Sequence, residues 1–423
     1  MTHRIDSVRA LEILDSRGRP TLQVSVALAG GVVGQAGVPS GASTGTREAV
    51  ERRDGDPGRF GGAGVQKAAL CVDGEIAEAL TGRDWGSLAD LDRTLIDLDG
   101  TANKERLGAN AIVGVSMAAA RAMAAAEGRP LYEWLAPSGY EPRLPVPHLN
   151  VINGGAHAQN PLTFQEFMIA PVGAPSFQEA LRAGAETYSA LRNRLRELGH
   201  ATGLGDEGGF APQIAEPEEA LELLVEAIQG AGYEPGRESV AIALDPAASE
   251  FRGEDGRYEV GESRLTSTEM VERYREMTGR YPVWSIEDGL GEDDRDGWVR
   301  LTEELGDRIQ LVGDDLFVTN PAIIREAIAQ GMGNAALIKL NQVGTVTETL
   351  EAIDVCRVGG YAQMISHRSG ETCDSFIADL AVAVGCGQIK TGASARGERL
   401  AKYNRLLEIE LELGGAEYGL TSR

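Results

Sequence analysis

The sequence predicts an α/β fold: an N-terminal α+β domain over residues 1–138, then an uneven (β/α)8 barrel over residues 139–423. Three observations predict it. Six short apolar runs, at 240–244, 281–286, 309–313, 335–338, 361–366 and 384–389, are each followed by an ionisable residue: Asp245, Glu287, Asp314, Lys339, His367 and Lys390. After a first gap of 42 residues, later gaps between these residues are 27, 25, 28 and 23, about the length of one strand plus one returning helix. Ahead of this series stand two strand-like runs and two long helical runs, so the barrel begins unevenly. The first third of the chain instead reads as strands followed by helices, the mark of an α+β unit.

Taken in order, residues 4–34 alternate as strands, with Leu22, Val24 and Val26 on one side and a turn at Gly30-Gly31. Helical patterns cover 65–80 and 109–126. The stretch Ala136-Pro-Ser-Gly-Tyr-Glu-Pro-Arg-Leu-Pro-Val-Pro is rich in proline and glycine, and the pattern changes after it. Residues 148–152 and 166–169 then read as strands, and 176–198 and 217–231 as helices, before the strand–helix series begins.

A chain of 423 residues favours two domains over one core. Net charge is −24, from 40 basic and 64 acidic residues, which excludes a nucleic-acid partner because phosphate is repelled. No run is long and charge-free enough to span a membrane; residues 109–126 are Ala-rich and carry Asn110 and Arg121, as a buried helix would. The opening Met1-Thr-His-Arg-Ile-Asp lacks the apolar core of a secretion signal, so a cytoplasmic location is expected. Cys71, Cys356, Cys373 and Cys386 form neither a CxxC pair nor a zinc spacing, and Cys373 is read as a bystander thiol.

In a barrel, residues just past the strand C-termini converge on one mouth. Asp245, Glu287 and Asp314 there make an oxygen-rich set of the kind hard Mg²⁺ takes. Lys339 sits in Leu337-Ile-Lys-Leu, where burial is expected to lower its pKa toward that of a usable base. Lys390, in Gln388-Ile-Lys-Thr-Gly, repeats the pattern and could bind a carboxylate instead of moving protons. Glu207 lies in the glycine-rich turn Gly205-Asp-Glu-Gly-Gly and is a candidate acid or base. His157 and His367 follow strands, whereas His3, His148 and His200 read as incidental. Arg368 and Ser369 in Ser366-His-Arg-Ser-Gly-Glu-Thr suit phosphate oxygens, and Pro39-Ser-Gly-Ala-Ser-Thr-Gly45 is a small-residue loop able to close over a ligand.

Together these residues resemble the enolase family almost end to end. The resemblance is carried by Leu14-Asp-Ser-Arg-Gly, 39–45, Arg53-Asp-Gly-Asp, 149–157, Gln165-Glu-Phe-Met-Ile, 205–212, Ser285-Ile-Glu-Asp, Asp314-Asp-Leu, 338–349, 366–372 and 388–392. It implies a TIM-like barrel of the enolase superfamily and the reversible dehydration of 2-phosphoglycerate to phosphoenolpyruvate. It also implies two Mg²⁺ per site, one on Asp245, Glu287 and Asp314, the second reaching Ser43 and the phosphate. Lys339 is then the base at C2, Lys390 a stabiliser of the resulting charge, and Glu207 the acid at the C3 hydroxyl, assisted by Glu166. His157, Gln165, His367, Arg368 and Ser369 complete the pocket.

Gln159, Thr163, Arg252, Gly291, Arg295, Cys373, Ser394 and Gly397 depart from the family's usual residues. These departures motivate an alternative, a paralogue acting on a related phospho- or phosphonate acid, similar to carboxyphosphonoenolpyruvate synthase. A further alternative is an enolase-like binding or structural protein that has lost its chemistry. A homodimer or higher homo-oligomer is expected. The family's acid–arginine pair between protomers is not kept, because Gln23 and Glu408 stand at those places.

Overall fold

The computed structural model describes residues 2–41 and 45–420. Its N-terminal part is a sheet of three long strands, His3–Leu14, Pro20–Leu28 and Val33–Gly37, edged by the short strand Asp84–Trp85. The meander is antiparallel, with Val8 opposite Val26 and Val24 opposite Ala36. Alternation places Leu22, Val24, Val26 and Leu28 on a buried face. Helix Ala109–Ala126 packs on that face. The approach is close: a Cβ on Gly34 would lie 2.1 Å from the Ala118 carbonyl oxygen, so only glycine fits there. This is the one helix among the described residues long and apolar enough to cross a membrane, and 83% of it is buried in the core.

The run expected to be one helix at 65–80 is broken by a π turn at Val72–Ile76 between Gln66–Cys71 and Ala77–Leu80. Helix Leu88–Asp99 was not anticipated, although it carries Ser87 as its cap and Leu88, Leu91 and Leu95 on one face.

The second part is a closed barrel of eight strands: Val146–Asn153, Glu166–Ala170, Ala241–Asp245, Val283–Glu287, Gln310–Gly313, Ala335–Ile338, Ala362–Ser366 and Gln388–Lys390. The uneven opening is present, with two strands and then helices Phe177–Glu197 and Pro217–Gly230 before the βα series. One feature differs from an all-parallel barrel: the second strand runs antiparallel to both neighbours. The twelve residues between the first two strands, 154–165, hold one 3-10 turn at Gly155–His157 and no long helix to carry the chain back for a parallel pairing. The last strand is shorter than the apolar run 384–389. Its first residue, Val384, caps helix Phe376–Ala383, which is buried along its whole length; apolar runs of that kind carry no period that separates helix from strand.

Polar contacts join the two parts. Ser40 and Gly370 exchange backbone hydrogen bonds at 2.8 and 2.9 Å, and the Arg121 guanidinium holds the Asp374 carboxylate, with Nη2 at 2.8 Å. Asp92 Oδ2 accepts from the backbone N–H of Thr347 at 3.0 Å and from its hydroxyl at 2.5 Å, in the first turn of helix Val346–Val358. Its Oδ1 is buried without a partner.

Burial lifts the Asp92 carboxyl to about 6. Because that lies above the unfolded value, the native state is most favoured while Asp92 is protonated and loses stability as pH rises through 6. The wild type should therefore lose about 1–3 kcal/mol more stability between pH 4 and pH 7 than Asp92→Asn. Chemical denaturation at both pH values measures this; equal pH dependence in the two proteins would contradict it.

Candidate active site

Strand ends build the site. Asp245 and Glu287 close the third and fourth barrel strands, Lys390 closes the eighth, and Asp314, Lys339 and His367 directly follow the fifth, sixth and seventh. Glu166 opens the second strand, yet that strand's reversed direction brings it to the same mouth, opposite Asn153 on one side and Asp245 on the other. Glu207 comes from the turn after helix Phe177–Glu197, which Tyr188 pins by donating its hydroxyl to the Gly208 carbonyl at 2.7 Å.

The predicted residues converge. Lys390 Nζ lies 2.8 Å from Asp245 Oδ2, 2.7 Å from Glu287 Oε1 and 3.3 Å from Glu166 Oε1. Lys339 Nζ contacts Asp314 Oδ2, whose other oxygen accepts from Gln342 Nε2 at 2.8 Å. A second group forms around Glu207: Oε2 accepts from Asn150 Nδ2 at 3.1 Å and lies 3.1 Å from His367 Nε2, while Oε1 is 3.8 Å from His157 Nδ1. His157 Nδ1 is 3.5 Å from Glu166 Oε1. A small polar cavity is lined by both groups together with Gln165, Arg368 and Ser369; Glu287 does not line it and connects to it through Lys390. Ser43 lies outside the described residues.

Arg368 is not idle in this arrangement. Its guanidinium is held by Glu48, from the N-terminal part, at 2.8 and 3.2 Å, and it donates to Asn341 Oδ1 at 3.1 Å. The Ser369 hydroxyl accepts from Arg17 at 3.2 Å. Cys373 is exposed in a separate groove with Glu371 and Asp374. Gln23 meets Gln35, and Glu408 meets Arg405 of its own helix.

Charge sets the protonation states. Burial, together with Asp245, pushes the Glu287 carboxyl far up, and burial beside Glu207 does the same to Glu166. Glu207 moves the other way: burial raises it, but His367, His157 and Arg399 outweigh burial and hold it well below the usual range. Two neighbouring carboxyls are thus split into one that keeps a proton and one that does not. Burial lowers Lys339 as expected, yet the net direction is upward. Burial pulls its pKa down, but the charge of Asp314, with Glu287 behind it, wins and raises it. Lys390 is raised further by Asp245, Glu166 and Glu287.

These signs test the fit of a divalent cation. Buried oxygens Glu287 Oε2 and Glu166 Oε2 have no hydrogen-bond partner, and carboxyls pushed upward by one another mark a surplus of negative charge. Hard oxygen donors in that state suit Mg²⁺ chemistry. Among the described residues, the tightest sets of possible metal-ligating atoms are His157–Glu166–Glu207 and Asp288–Asp314–Asp315. The trio Asp245–Glu287–Asp314 is held instead through the two lysines. Asp288 carries no signal of its own in the sequence; its carboxyl oxygens accept the backbone N–H groups of Asp314 and Asp315 at 2.9 and 2.8 Å and so fix the turn that presents Asp314.

Fold and mouth together define a barrel protein that gathers buried acids and ammonium groups at the strand C-terminal ends. Residues 5–135 match the family model for the enolase N-terminal domain and residues 141–420 that for the enolase C-terminal TIM barrel domain, so the chain belongs to the enolase family. It is 59% identical over 414 residues to an enolase of Rubrobacter xylanophilus, covering 97% of this chain and 96% of that one. It is 58% identical over 419 residues to enolase 1 of Methylococcus capsulatus, covering 98% and 99%. An enolase of Methanopyrus kandleri is 57% identical over 420 residues, covering 98% of each chain. Family membership implies a divalent metal, in keeping with the surplus of buried acid.

A cation that relieves this surplus should stabilise the fold by mass action. Millimolar Mg²⁺ is expected to raise the Tm of the wild type, and Glu287→Gln to lose most of that rise. A Tm indifferent to Mg²⁺ would contradict the assignment.

Proposed function

We propose that this chain is a phosphopyruvate hydratase, a hydro-lyase that interconverts 2-phosphoglycerate and phosphoenolpyruvate. The observation that carries the reading is a mouth with two buried lysines among acids, next to a separate carboxyl pair with opposite proton affinities. Removing the C2 proton of a carboxylate creates a second negative charge on the same fragment, and only preorganised positive charge makes that accessible. When held by Asp245, Glu287 and Asp314, Mg²⁺ supplies that charge and relieves the acids' hold on Lys339. A second Mg²⁺, arriving with the substrate at Ser43, belongs to the same proposal.

Lys339 then takes the C2 proton while the Lys390 ammonium faces the charge that develops. The Glu166–Glu207 pair delivers one proton to the departing C3 hydroxyl: Glu166 stores it and Glu207 presents it. Arg368 exchanges Glu48 for phosphate oxygens, helped by Ser369, and His157, Gln165 and His367 border the reacting carbons. The rival phosphonate substrate rests on Gln159, Thr163, Arg252, Gly291, Arg295, Cys373, Ser394 and Gly397, none of which lines the cavity. Assembly as a homodimer or higher homo-oligomer, working in the cytoplasm, completes the proposal; the exposed Leu11 and Leu14 of the first strand offer apolar surface for it.

Phosphoenolpyruvate formation, followed by ultraviolet absorbance, should require a divalent cation: EDTA abolishes it and Mg²⁺ restores it. Turnover undiminished by chelator would overturn the metal assignment. Lys339→Ala should abolish C2 hydrogen exchange, whereas Glu207→Gln should retain exchange and lose dehydration by about 10²–10⁴-fold. Equal loss of exchange in both variants would refute the division of roles.

A further inference from the structure

Arg399 is fully buried, in the first turn of the last helix, Gly397–Leu413. Its guanidinium donates to three backbone carbonyls, each from a loop of the mouth: Arg368 O at 2.8 Å, Ser369 O at 2.6 Å and Asp206 O at 3.1 Å. The remaining short contact is to a side chain: Nη1 lies 2.6 Å from His367 Nδ1. Room for the arginine is made by Gly392, at φ +84°, where a Cβ would come within 2.8 Å of both Arg399 Cδ and the Glu207 carbonyl oxygen.

An arginine side chain has donors only and keeps its charge at any working pH. Facing it, Nδ1 of His367 can only accept. Nδ1 therefore carries no proton, the doubly protonated ring is excluded, and the single ring proton resides on Nε2, which stands 3.1 Å from Glu207 Oε2 but off the line of a hydrogen bond, so this buried donor is left without a partner. The other neighbour of that oxygen, Asn150 Nδ2, is also a donor. We propose that Arg399 is a positioning residue for the dehydration half of the reaction: it fixes the Nε2–H tautomer of His367, so that the side of the ring nearest Glu207 carries a proton and not a lone pair, and the carboxylate hydrogen-bonded by Asn150 stays turned toward the substrate.

The consequence is specific. With the opposite tautomer, a bare Nε2 lone pair would face the Glu207 carboxylate, and repulsion would turn one of the two groups away. The depressed proton affinity of His367, pushed down to about 4 by burial with Arg399 opposing its charge, agrees with a ring that stays neutral. Nothing in the sequence Ala395-Arg-Gly-Glu-Arg-Leu distinguishes Arg399 from the solvated charges of a helix surface. Its role arises because the helix starts beneath the mouth, where Tyr403 also binds Gly392 O at 2.6 Å and Lys402 binds Thr372 O at 2.6 Å.

The inference rests on the proposed role of Glu207, and its test has two arms that fail separately. Nitrogen-15 NMR of the folded wild-type protein, with His367 assigned by its loss in His367→Asn, should show Nε2 protonated and Nδ1 bare from pH 6 to 8. A protonated Nδ1 would overturn the inference whatever the activity. In the kinetic arm, Arg399→Met should lower kcat for dehydration about 10²-fold or more with KM changed less than about fivefold, and retain C2 hydrogen exchange. Arg399→Lys, which keeps a donor toward Nδ1, should recover at least about tenfold of that loss. Equal loss of exchange and dehydration in Arg399→Met, with an unchanged His367 tautomer, would assign Arg399 to general support of the loops and overturn the proposal. If instead Glu207→Gln fails to separate exchange from dehydration while the Nε2–H tautomer stands, the proposed role of Glu207 is what fails.

Discussion

The mouth of this barrel holds more buried carboxylate than its two lysines can balance, and the rest of the site follows from that imbalance. Charges removed from water need partners, and Asp245, Glu287 and Glu166 share one ammonium, that of Lys390, while Asp314 takes Lys339. The protein alone therefore keeps both lysines protonated and forces protons onto some acids. That is the electrostatic condition of a site designed to receive positive charge from outside. The same contacts that hold the acids hold both lysines in their charged form.

Topology makes the imbalance possible. Seven barrel strands point their C-terminal ends at the mouth, and an eighth parallel strand would bring Glu166 out at the far end. Reversal of the second strand places it beside Asp245 instead. The N-terminal part closes the arrangement from the other direction: Ser40 pairs with Gly370, and Glu48 occupies the fork of Arg368. One ion pair, Arg368 with Glu48, therefore ties the N-terminal part to the barrel mouth.

Much of this was visible in the residues. The strand at 335–338 is legible because a strand buried on both faces is a continuous apolar run, and an ionisable residue after such a run marks its end. The helix at 88–99 is equally legible from its Ser87 cap and the spacing of Leu88, Leu91 and Leu95. The extent of the last strand was not legible, because the helix before it is apolar on every face. The net proton affinity of Lys339 is not legible for a different reason: burial can be read from flanking residues, whereas the acid that overrides it sits 25 residues away, just past the neighbouring strand.

The sequence by itself determined the order of elements, the barrel class, the family and the inventory of acids, lysines and histidines at strand ends, since these depend on local apolar pattern and residue type. Tertiary structure alone decided strand direction, the partners of each charge, and the contacts of Asn150, Glu48 and Arg399. An apolar run reads the same in either direction, and a buried charge takes its character from neighbours that only the closed barrel brings within a hydrogen bond's length.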